Sequence, residues 1–92
     1  MAANEIVAKV KIDLRITHTA LDVDISDMVD ACVEDLRMVG VQVIEPPDVT
    51  ILAAIKLYCR AAYTDDTGKA YMARYNAMKA TLMMAKEYRA DD

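Results

Sequence analysis

Apolar residues recur along this chain at steps of three and four, in four runs separated by polar or proline-containing breaks. The first run, from about Asn4 to Leu14, sets Ile6, Val7, Val10 and Leu14 on one face, with Asn4 suited to an N-cap. A polar stretch from Ile16 to Ala20 leads to Asp22 and Asp24, either suited to cap a second helix. Ile25, Met28, Val29, Cys32, Leu36 and Val39 give that helix the clearest stripe in the sequence. Gly40 then predicts a left-handed C-terminal stop, with Val41 placed for the hydrophobic contact of a Schellman motif. Val41 to Glu45 reads as an extended connector. Pro46 and Pro47 forbid helix before them and suit the first turn of a third, expected from about Pro47 to Tyr63 with Asp48 near its positive end. Lys56 and Arg60 are its clear polar strip, and a helix apolar almost all round belongs at the centre of a bundle.

A polar loop from Thr64 to Gly68 precedes a fourth helix, predicted to run to about Arg89. Tyr71, Tyr75, Met78, Leu82 and Ala85 form one apolar stripe, and Ala73, Ala77, Ala80 and Met84 a second on roughly the opposite side. One stripe serves the domain's own core and leaves the other facing outward. Alanine permits close helix approach and methionine adapts to irregular partners, so a protein interface is expected at Met72, Ala73, Ala77, Ala80, Met83, Met84 and Tyr88. Met38, among acidic residues on the polar side of the second helix, joins that set. A helix of ~20 residues is about 30 Å long, so its end is expected to project beyond the core.

Composition agrees with an all-α fold: a small bundle of about four helices in one domain, with a long C-terminal helix. Of 92 residues, fifteen are alanine and seven methionine, against two glycines and two prolines. A chain this short hides only about 60–65% of its unfolded surface, so neighbouring subunits are expected to contribute stability. The net charge of −4 argues against a protein built to grip phosphates. No apolar run approaches the ~18–20 residues of a membrane span, and no signal-peptide pattern stands at the N-terminus, so a cytoplasmic protein is expected. Cys32 and Cys59 fall on apolar faces, where a free thiol behaves as a small hydrophobe.

The residues of catalysis are scarce. His18 is the one histidine and Ser26 the one serine. Asp22, Asp24, Asp27 and Asp30 lack the glycine and terminal glutamate of a calcium loop, and sit where a helix macrodipole favours negative charge. Asp65 and Asp66 precede the fourth helix in the same way. Neither a phosphate-cradling glycine loop nor a CxxC pair is present. The expectation is a non-enzyme without metal or cofactor.

From Leu14 onward the order of residues resembles the small head–tail connector (head-completion, or adaptor) proteins of tailed bacteriophages and prophages. The resemblance is carried by Leu14-Arg15-Ile16 before an acidic loop, Asp24-Ile25, Ala31, and Asp35-Leu36 before Gly40-Val41. It continues through Pro47-Asp48, the run Ala54-Ile55-Lys56-Leu57-Tyr58-Cys59-Arg60-Ala61, then Arg74-Tyr75, Met78-Lys79 and Leu82. It covers roughly residues 12–88 and departs at Ala62-Tyr63-Thr64, where the family often carries an Asn-Phe-Gly-like segment. The resemblance implies a virion structural protein at the head–tail junction, made in the host cytoplasm. It implies a ring of about a dozen copies between the portal and a tail-completion or stopper protein, around a channel through which DNA passes without sequence-specific binding. A helical adaptor or regulator acting as monomer or dimer is the alternative. A helix-turn-helix DNA binder ranks below both, because the second helix is acidic where a recognition helix is basic.

Overall fold

A computed structural model describes residues 4–43, 47–64 and 68–89. Four α-helices and a short 3-10 turn account for the architecture: α1 is Asn4–Leu14, α2 Asp22–Met38, α3 Val49–Tyr63, α4 Gly68–Met84, and the turn is Lys86–Tyr88. No strand occurs among the described residues; an isolated antiparallel bridge joins Val41 to Arg89. The chain is an all-α bundle, as its periodicity predicts. α3 packs against each of the other three helices, most extensively α4, and α1 also packs on α2.

The core is assembled from the predicted stripes. α1 buries Ile6, Val7 and Val10; α2 buries Ile25, Val29, Cys32 and Leu36; α3 buries Ile51, Ala54, Ile55 and Cys59; α4 buries Tyr75 and Leu82. Met28, Val39, Leu14, Met72, Met78 and Tyr88 are partly buried against this cluster. Each Val, Leu or Ile side chain removed from water contributes roughly 1.5–3 kcal/mol, so the buried apolar residues, sixteen among those described, are the main source of stability.

Two helix ends share one device. After α2, Gly40 takes a φ of +88°, the Gly40 N–H donates to the Arg37 carbonyl (3.0 Å), and the Val41 N–H donates to the Leu36 carbonyl (3.0 Å). This is the expected Schellman motif, and Val41 is fully buried at its hydrophobic position. After α1 the same pattern occurs without glycine. Arg15 sits at φ +61°, its N–H donates to the Ile12 carbonyl, and the N–H of Ile16, a buried residue, donates to Lys11. At the start of α4, a Cβ on Gly68 would lie 2.9 Å from the Ala61 carbonyl oxygen, so only glycine lets the α3–α4 corner close this tightly.

Three expectations are corrected. α3 begins at Val49 rather than Pro47, because Asp48 is its N-cap, accepting from the Ile51 N–H at 2.9 Å. Neither Asp22 nor Asp24 caps α2: both lie inside the helix, Leu21 holds the cap position, and Asp22 pairs with Lys11 at 2.7 Å. The fourth helix ends at Met84 rather than near Arg89, and Leu82, two residues before its end, is still buried in the core. The chain turns at Ala85 and folds back, so that the Gln42 N–H donates to the Tyr88 carbonyl at 2.6 Å. Residues 85–89 contain no helix breaker; long-range pairing with the α2–α3 connector redirects them. The rest of that connector beyond Val43, and the acidic pair Asp65 and Asp66, lie outside the described residues.

Candidate protein interface

α4 is held to the bundle by one side. Tyr75 and Leu82 are buried, and the Tyr75 ring meets Tyr58 of α3 edge-on with centroids 5.1 Å apart. The Tyr75 hydroxyl donates to Asp35 Oδ2 at 2.7 Å, and Lys79 Nζ reaches the same oxygen at 3.0 Å. These bonds hold the Asp35 carboxyl below its ordinary range, the Tyr75 hydroxyl contributing most. Burial, reinforced by its bond to Asp35, pushes the Tyr75 hydroxyl upward, so it stays a neutral donor. Nearer the start of the helix, the Tyr71 hydroxyl accepts from Arg60, whose guanidinium also binds the Asp13 carboxylate (2.9 Å) and the Asp13 backbone carbonyl (3.0 Å). One arginine thus ties α4 and α3 to the last turn of α1.

With that side committed, the opposite side of α4 is exposed. Ala73, Ala77 and Ala80 are exposed, as are Met83 and Met84, the latter at 78%. The second stripe read from the sequence therefore exists as an open face of small and flexible apolar side chains. Met38, at 77%, is exposed at the end of α2. Two residues of the expected interface stand elsewhere. Met72 is half-buried against the core, because its position on the helix lies off the alanine stripe. Tyr88 also packs on the core, and its hydroxyl donates to Asp48 at 2.5 Å. Both pack partly against the core of their own subunit.

Sequence periodicity missed a second open region. Ile12, 77% exposed, lies off the buried stripe of α1 and borders a groove of about 340 Å³ with Val7, Ala8 and Ile16. The signal was present in the spacing, since Ile12 falls on the opposite side of the helix from Ile6 and Val10. The Lys11–Asp22 ion pair lines the same groove.

The described residues hold no group of three or more His, Cys, Asp or Glu placed for a metal. No described helix is long and apolar enough to cross a membrane. Cys32 and Cys59 are free and buried, and burial pushes both thiols up to about 12, far from a reactive thiolate at neutral pH. His18 is exposed in the α1–α2 connector. No protein-family model matches the chain, nor does any curated protein or solved structure.

Proposed function

We propose that the protein is a structural head–tail connector of a tailed bacteriophage or prophage, assembling as a ring between portal and tail-completion proteins around the path of the DNA. The observation that carries this reading is the two-sided α4: one side is fastened to the bundle, and the other presents Ala73, Ala77, Ala80, Met83 and Met84 to solvent. An open face of this composition suits repeated helix-to-helix contact, where alanines set a short separation and methionines fill what remains. A 92-residue bundle with extents of 41 × 27 × 19 Å encloses a duplex only by repetition. Repeated heterologous contacts close into rings when the rotation permits, and each subunit then needs two different faces. α4 supplies one. The net charge of −4 suits a conduit along which DNA slides without adhering. The order of residues resembling the connector family supplies the biological setting.

The test is steric and electrostatic. Ala77→Glu and Ala80→Glu each place a carboxylate on the open face, where a packed contact would desolvate it. Both variants are expected to keep the parent's helical signal and melting temperature while losing multi-copy assembly on the portal. Normal assembly of both would remove the α4 face, and with it this reading.

A further inference from the structure

We infer that the α4 face is covered by the outward face of α2 from a second copy of this chain, an acidic surface docking on a basic one. The inference rests on the assembly reading above and names the partner surface within it.

Two observations converge. The first is register. On α2, Asp24, Asp27, Ala31, Glu34 and Met38 recur at alternating steps of three and four, all exposed, on the side opposite buried Ile25, Val29, Cys32 and Leu36. On α4, Ala70, Ala73, Ala77, Ala80 and Met84 recur at the same steps, all exposed, opposite buried Tyr75 and Leu82. Both helices are 17 residues long, so two seams of equal length and matching period are available for side-by-side packing. The α4 seam is small where the α2 seam carries longer side chains.

The second is charge. α2 contains six acidic residues against one basic, Arg37. α4 contains Lys69, Arg74 and Lys79 and no acidic residue. Lys79 is already spent on Asp35 of α2 within the same subunit, at 3.0 Å. Among the described residues, Asp24, Asp27 and Glu34 form no ion pair, and neither do exposed Lys69 and Arg74; Arg74 flanks the Tyr71 ring, 5.9 Å from its centroid. A like-with-like pairing of two α2 faces would oppose carboxylates, and of two α4 faces would oppose cations. Charge therefore selects the unlike pair; made once per neighbour, without the reciprocal contact, it is heterologous and repeats from copy to copy. Both faces point away from the core of their own subunit, so a chain leaves them for its neighbour.

Sedimentation of the full chain tests the pairing with two charge-reversed variants, Asp27→Lys/Glu34→Lys on α2 and Lys69→Glu/Arg74→Glu on α4. The parent is expected to gain mass with concentration and to lose that tendency in high salt. Each variant is expected to weaken self-association about tenfold or more. Mixed together, the two oppose intact α2 to intact α4 and reversed α2 to reversed α4, so alternating copies should regain the parent's association. A chain carrying all four substitutions should regain self-association. Helical signal and melting confirm folding, and the single substitutions Glu34→Lys and Arg74→Glu serve if a double variant unfolds. A parent that stays monomeric throughout, a variant that associates like the parent, or a mixture that fails to pair overturns the inference. Portal binding separates the two claims: a monomer that still loads in many copies on a portal upholds the connector reading alone, whereas α2-to-α4 association without portal binding upholds this inference alone.

Discussion

Arg15 holds a left-handed backbone at φ +61°, a region that disfavours side chains with a Cβ. The Schellman bonds at the end of α1 and the burial of Ile16 compel it. Arg15→Gly relieves that strain at some entropic cost in the unfolded chain, and is expected to raise stability by roughly 0.5–1 kcal/mol. Urea denaturation measures the shift in midpoint, and a lowered midpoint would show that the arginine side chain contributes more than its backbone costs. Tyr75 makes the opposite kind of residue-scale case. Tyr75→Phe keeps the buried ring and removes the donor to Asp35, a partly exposed carboxylate, so the expected loss is about 1 kcal/mol at neutral pH. The sign of its pH dependence follows from Asp35, whose folded-state carboxyl lies below its ordinary range. The stabilisation is present above the unfolded-state aspartate range and fades as pH falls through the folded-state value. The difference between parent and Tyr75→Phe should therefore narrow in acid, and a constant difference in pH-resolved unfolding would exclude Asp35 as its cause. None of this was visible in the sequence, where Arg15 and Asp35 stand only among the residues that carry the family resemblance. A positive φ without glycine, and a bond across 40 residues, are products of tertiary packing.

At the scale of elements, legibility followed the local stop signals. α1 and α2 were readable because apolar periodicity is strong on both, and Gly40 marks the end of α2 unmistakably. α3 was readable to within two residues, its start moved from Pro47 by the Asp48 cap. α4 was readable as a two-striped helix, and its free stripe emerged as Ala73, Ala77, Ala80 and Met84. Its end was not, because Ala85, Lys86 and Glu87 are good helix formers and what stops them is the bridge from Val41 to Arg89. Tyr88 is the hinge pin of that fold-back, packing on the core and bonding Asp48. Tyr88→Ala is expected to release the segment, so that the Gln42 amide, which donates to the Tyr88 carbonyl, exchanges its hydrogen faster while amides in the middle of α3 keep their protection. Unchanged protection at Gln42 would mean that backbone pairing alone holds the strap.

At the scale of the whole molecule, the bundle is small enough that its open faces weigh heavily. The described residues bury sixteen apolar side chains in one core cluster, yet α1, α2 and α4 all leave large apolar side chains in solvent: Ile12, Val23, Met38, Met83 and Met84. A chain of this size gains stability from what covers such surfaces. The helical body and the uncommitted stripe of α4 were legible in the sequence; the binding role and the portal as its partner are our proposal. The central claim is multi-copy docking on that ring. Light-scattering mass coupled to size exclusion, on the protein alone and mixed with the purified portal of the same phage or prophage, tests it most directly. The account predicts a stable complex carrying many copies per portal ring; a portal peak whose mass is unchanged by the protein under assembly-competent conditions would contradict it.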